Sequence, residues 1–169
     1  MKTTTKQTYL ATLIVCIFSL SLCACTQKQT SAEIFASGVK YYNDRNYVQA
    51  EKKFEESLKL FMEKNPTSPD VCSNQMYLAN TKCELGKLRD AVEMHKTAIA
   101  SMMKQYGADS EQVADAELRL GIDYYTMNDK KSTKAHYENS LAILKKHLPA
   151  TKIKVKQLQS KLKALADNK

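Results

Sequence analysis

Three stretches of this 169-residue sequence lie on one another in register: GVKYYNDRNYVQAEKKFEESLKLF from Gly38, ANTKCELGKLRDAVEMHKTAIASM from Ala79 and GIDYYTMNDKKSTKAHYENSLAIL from Gly121, at spacings of 41 and 42 residues. Self-similarity at such a period means stacked units, each unable to bury its apolar face without a neighbour. The alignment places Gly38, Ala79 and Gly121 together, then Tyr41, Lys82 and Tyr124, then Ala50, Ala91 and Thr133. Phe54, His95 and Tyr137 follow, then Ser57, Ala98 and Ser140, and last Leu58, Ile99 and Leu141. A small residue lets one helix approach its partner closely, and an aromatic one turn away fills the gap. Polar turns, NDRN, ELGK and MNDKK, separate the two helices of each unit. With only 4 Gly and 3 Pro, the chain lacks the punctuation of a turn-dense β-sandwich or barrel. The pattern predicts helices near 31–44, 47–63, 70–85, 88–104, 110–127 and 131–147.

The order small, aromatic, turn, Ala, aromatic, small resembles the tetratricopeptide repeat, whose usual unit is roughly 34 residues. The longer unit here is similar to the kinesin-light-chain type, with the surplus expected between units, at EKNPTSPDV and KQYGADSEQVAD. Pro66, Pro69 and Pro149 fall at such junctions. The resemblance covers 31–147 and implies an all-α, right-handed superhelical solenoid of three helical hairpins, with a capping helix at 148–169. Lys82 and His95 replace expected aromatics, and Lys130 and Thr133 depart from the apolar or Ala pattern, which makes the third hairpin the least regular of the three.

The N-terminus reads as an address. Lys2 and Lys6 precede the uncharged run LATLIVCIFSLSL at 10–22, too short to span a bilayer comfortably but matching a secretory signal. The following Leu22-Cys23-Ala24-Cys25 and an abrupt polar switch resemble a bacterial lipobox. That resemblance implies a signal peptide at 1–24, lipidation of Cys25 with fatty-acyl chains such as palmitate, and a tether at 25–30. An ordinary cleaved signal and an uncleaved anchor are the alternatives. Thr26 rather than Asp after the cysteine points to the periplasmic face of the outer membrane, or to the cell membrane in an organism with a single one. Cys72 and Cys83, eleven residues apart, are expected on one helix about 16 Å from each other, too far for a disulfide.

The formal charge of +8 is unevenly placed. Residues 145–169 hold eight lysines against the single acid Asp167, so the basicity belongs to one segment. Val155, Leu158, Leu162 and Leu165 form its apolar stripe, fit to cap the exposed end of a repeat array. A basic amphipathic helix lying on anionic lipid is the competing reading. Nucleic acid is not expected as a partner, because no aromatics interleave with the lysines.

No nucleophile motif, glycine-rich phosphate loop or zinc-binding HExxH occurs, so neither enzyme activity, cofactor nor metal is expected. The family resemblance instead implies a concave groove lined by the first helix of each hairpin. Carried over residue by residue, its lining is Phe35, Val39 and Tyr42, then Met76, Asn80 and Cys83, then Leu118, Ile122 and Tyr125. The Lys and Arg pattern of the chaperone-binding carboxylate clamp is missing. An apolar groove suits an amphipathic or extended segment of an envelope protein near the membrane, with Asn80 placed to bond its backbone. The alternative for Val39, Met76 and Ile122 is burial against neighbouring helices. A homo-oligomer whose groove takes the same protein's terminal helix is a further alternative. Mass spectrometry of the mature protein is expected to find acylated Cys25 at its N-terminus, and Cys25→Ser to move the protein from the membrane pellet into the soluble fraction.

Overall fold

The computed structural model describes residues 29–167, so the expected signal peptide and the lipidation residue Cys25 lie outside the described residues. Within them are seven helices and no strand: α1 Ser31–Asn43, α2 Tyr47–Lys64, α3 Pro69–Glu84, α4 Leu88–Tyr106, α5 Glu111–Thr126, α6 Lys130–Lys146 and α7 Lys152–Asp167. None of them is long and apolar enough to cross a membrane.

Local chemistry sets the helix ends. The Thr30 hydroxyl accepts from the Glu33 N–H while the Glu33 carboxylate accepts from the Thr30 N–H, a reciprocal cap that satisfies two otherwise orphaned donors. Ser68 and Ser110 accept from the N–H of Val71 and Val113 at the starts of α3 and α5. Asn46 and Asp129 do the same for α2 and α6 through Gln49 and Ser132. Within each hairpin the reversal is made once and repeated: Arg45, Gly86 and Asn128 take φ of 58°, 74° and 61° at equivalent places. The next N–H in each case, from Asn46, Lys87 and Asp129, donates back to the carbonyl of Tyr41, Lys82 and Tyr124.

The extra length of the units is helix, not loop. Only 65–68 and 107–110 separate the hairpins, and most of the two segments read as connections is helical. α3 and α5 begin ten residues before Ala79 and Gly121, whereas α1 begins seven before Gly38, which is one added turn. Pro69 permits this extension because it stands at the first helical position, where its missing N–H has no partner to lose.

Each helix packs on the next in sequence, α1 on α2 through α6 on α7, as in a solenoid. The hairpins close at the expected small-on-aromatic contacts. A methyl group at Gly38 would meet the Phe54 ring at 2.7 Å, and one at Gly121 would meet Tyr137 at 2.5 Å. α6 completes a full hairpin in spite of its irregular sequence, because the buried Thr133 hydroxyl donates to the Asp129 carbonyl and buried Ser140 to that of Ala114. α7 lays Val155 and Leu158 against Ala114, Tyr137 and Leu144, with Leu162 at the margin, so its apolar stripe covers the end of the third hairpin.

Arg45 holds a left-handed conformation that disfavours any Cβ-bearing residue, so Arg45→Gly is expected to stabilise the fold by about 0.5 to 1 kcal/mol. Gly121→Ala is expected to destabilise it by about 1 to 3 kcal/mol through overpacking against Tyr137. Urea unfolding of both variants measures the two effects.

Candidate partner-binding groove

The groove positions lie on α1, α3 and α5, the first helices of the three hairpins, and how these helices are held together determines what the groove can be. Between the first two hairpins the holding element is a charge cluster. The Lys82 ammonium donates to Glu51 at 2.8 Å and to Glu55 at 3.4 Å, and Lys87 donates to Glu51 at 2.7 Å. Burial pushes the Glu51 carboxyl up, but the hydrogen bonds and charges of Lys82 and Lys87 outweigh it and hold it below its ordinary value. Burial lowers Lys82, and Glu51 more than restores it, so its ammonium is held above the usual lysine range. Lys82 thus departs from the aromatic pattern because it serves as a tie between hairpins.

Between the second and third hairpins the tie is His95. Its ring is 1% exposed; Nδ1 lies 2.5 Å from the Asp123 carboxylate and Nε2 3.2 Å from the Asn80 amide oxygen. Cys83 adjoins the same carboxylate. Burial, the Asp123 charge and a hydrogen bond to Asp123 push its thiol up to about 11, which keeps it protonated and a poor nucleophile. Cys72 and Cys83 are both free, on one helix as expected. Among the described residues no group of His, Cys, Asp and Glu is arranged to hold a metal ion.

The groove residues separate into two groups. Phe35 and Tyr42 converge on a residue that the repeat pattern did not single out, Tyr77, at ring distances of 5.5 and 5.8 Å. Phe35 also meets Phe54 at 5.6 Å, and Val39 packs on the same cluster. They join the first hairpin to the second. Met76 packs on the middle core cluster, and the carbonyl of Asn80 is engaged by His95, which leaves only its NH2 group for a ligand backbone.

The third hairpin differs. Leu118 and Ile122 are half-buried beside α7, while Tyr125 is 60% exposed. Ile122, Tyr125 and Tyr137 line a cavity of about 370 Å³ whose opposite wall is Lys161, Ala164 and Leu165 of α7. A second cavity of about 230 Å³ adjoins it, sharing Tyr125 and Leu165. No carboxylate lines either one, so the site offers apolar surface, hydroxyls, the Asn128 amide and the ammonium groups of Lys161 and Lys130. In the sequence Leu165 reads as part of the apolar stripe of a capping helix and Lys161 as one of its lysines, and neither reads as lining a site. Their spacing along α7's apolar margin was the available signal.

Residues 70–146 match the family model described as tetratricopeptide repeat. No curated protein sequence matches the chain. In fold, the chain is similar to BtubC (BKLC) from P. vanneervenii, with a TM-score of 0.69 and 21% identity over 85% of this chain and 64% of that one. It is also similar to the nearly identical TPR-like repeats of a kinesin light chain from Podosopora anserina, with a TM-score of 0.69, 16% identity and coverage of 82% and 67%. PcrH bound to the chaperone binding region of PopD gives a TM-score of 0.62 at 12% identity, covering 80% of this chain and 90% of that one. The chain spans just under two thirds of the length of BtubC.

The Glu51 cluster has a pH signature. A carboxyl held low stabilises the fold above its unfolded value of about 4.3 and loses that contribution as the pH falls through the folded value. A lysine held high contributes below about 10.4 and is lost as the pH rises through its folded value. Glu51→Gln is expected to destabilise by about 2 to 3 kcal/mol at pH 7, with the deficit shrinking below about pH 4. Urea unfolding at several pH values measures it.

Proposed function

We propose that this chain, whose residues 70–146 are tetratricopeptide repeats, is a protein-interaction adaptor or assembly factor of the bacterial envelope. In this reading it is anchored through lipid on Cys25, at the periplasmic face of the outer membrane or at the cell membrane of a single-membrane organism. It takes an apolar or amphipathic segment of a neighbouring envelope protein.

The observation that carries the reading is the paired cavity under Tyr125. Apolar groups form the floor, Lys161 stands at the wall, and α7 leaves the site open. The larger lobe, about 370 Å³, lies by itself within the size range of an ordinary ligand pocket, roughly 300 to 1,000 Å³. Apolar anchors entering such lobes supply affinity, and the exposed Tyr125 adds a rigid amphipathic contact. The similarly folded PcrH has been captured with a segment of PopD, which supports a peptide as the kind of ligand. The first two hairpins contribute less, since their aromatic residues are committed to one another.

A photo-crosslinking residue placed at Tyr125 is expected to capture a discrete envelope polypeptide in intact cells. The same residue at the exposed position of Glu138 on α6 is expected to capture none of it. Equal capture from both positions would sink the groove as the binding site.

A further inference from the structure

The exposed large apolar side chains are not scattered evenly. Because the helices of the hairpins alternate in direction, the starts of α1, α3 and α5 share one edge of the solenoid with the ends of α2, α4 and α6. Contacts trace that edge continuously. Gln29 and Glu63 line one cavity beside the start of α1 and the end of α2. Tyr106, closing α4, lies near Cys72 and the Asp70 carboxylate at the start of α3. Lys146, at the end of α6, bonds Asp109 at 2.6 Å, and Lys154, on the first turn of α7, bonds Asp115 of α5 at 3.0 Å.

Five of the eight exposed large apolar residues among those described belong to this edge: Met62, Met103, Tyr106, Leu148 and Ile153, the last 73% exposed. They sit at the end of α2, near and at the end of α4, in the connection after α6 and at the start of α7. The chain also enters the solenoid here. Cys25 is six residues before Ser31, a span of at most about 20 Å if fully extended. A lipid on Cys25 would hold this edge against a bilayer whatever else the protein bound.

We infer that this edge is a membrane-docking surface, with Met62, Met103, Tyr106, Leu148 and Ile153 entering the interfacial layer of the bilayer to which the chain is anchored. The inference rests on the lipid anchor proposed above and adds an orientation to it. The hairpin helices stand upright on the bilayer, and the groove across α1, α3 and α5 runs parallel to it. Apolar insertion dominates over charge at this edge. Its charges are mixed, with Lys64, Lys104 and Lys145 in the last turns of α2, α4 and α6 alongside Glu33, Glu63 and Asp70. Two of its acids are already bonded to Lys146 and Lys154. A tether alone leaves orientation free, whereas several shallow apolar contacts acting at the high effective concentration that the tether imposes fix it.

The test uses the mature chain beginning at acylated Cys25, in phosphatidylcholine vesicles, with an environment-sensitive fluorophore at Met103→Cys or Ile153→Cys on the edge, and at Val48→Cys or Met127→Cys away from it. All four positions are exposed, while native Cys72 is buried and the Cys83 thiol stays protonated, so labelling favours the introduced thiols. The expected result is a blue shift and several-fold quenching by headgroup-proximal nitroxide lipid at positions 103 and 153, with little change at 48 and 127. Equal quenching at all four, or quenching that requires anionic lipid, overturns the inference. Vesicles that float with the protein but leave positions 103 and 153 unquenched overturn it while the anchor stands. A protein that does not float removes the anchor and this inference together.

Discussion

The solenoid depends on two places where a hydrogen atom stands in for a methyl group. At Gly38 and Gly121 the helices of a hairpin come so close that a Cβ would enter the ring of Phe54 or Tyr137. That approach fixes the angle of each outer hairpin and lets the aromatic ring fill the space between the helices with dispersion contacts. The middle hairpin solves the same problem with different chemistry. Ala79 and His95 occupy the equivalent positions, and both are buried. An imidazole at a core site brings two ring nitrogens that must find partners. Asn80 supplies one from within the hairpin and Asp123 supplies the other from the next. A packing substitution has thereby become a link between neighbouring units.

Stacked units of similar sequence face an error that single-core domains do not, which is pairing in the wrong order or the wrong register. Apolar surface alone discriminates poorly among such arrangements. Glu51 accepts from both Lys82 and Lys87, so displacing the second hairpin by a turn would leave a nearly buried carboxylate without a cation. The penalty for such an orphaned charge is several kcal/mol, larger than the loss of an equal area of apolar contact at one position. His95 and Asp123 impose the same condition one step along. The two places where the repeat pattern breaks most plainly are thus the two places where hairpin is matched to hairpin.

This explains which parts of the structure could be read in the sequence. Helix ends follow from caps within three residues of the turn they serve, and the expected boundaries of the six hairpin helices fall within two residues of the observed ones, whereas the capping helix expected from 148 begins at Lys152. Pro69 misled the reading of the connections, because a proline that marks a boundary also suits the first residue of a longer helix. Lys82 and His95 stood out only as departures, since the carboxylates they meet lie 31 and 27 residues away for Lys82 and 28 for His95, beyond the reach of any local pattern. The positions carried over as groove lining fall on α1, α3 and α5, the first helices of the hairpins. What the repeat pattern could not convey is that Tyr77 joins Phe35 to Tyr42, which turns ligand-lining positions into packing between hairpins.

The consequence for recognition is a polarity along the array. Aromatic packing occupies the groove positions of the first hairpin, and the cavities lined by the groove position Tyr125 lie at the other end, between α5, α6 and α7; a larger apolar cavity of about 590 Å³ lies off these positions, against α2, α3 and α4, lined by Leu58, Met62, Leu78 and Met94. With neighbouring helix axes roughly 8 to 10 Å apart, α1 and α5 are separated by about two hairpin widths, on the order of 20 Å or more. On the proposed reading, a partner held under Tyr125 would meet a site displaced laterally from the proposed anchor. α7 forms one wall of that site through Lys161, Ala164 and Leu165, while Val155 and Leu158 nearer its start are buried in the core. The buried half secures the helix to the array and covers the third hairpin, which leaves the other half to line the cavity.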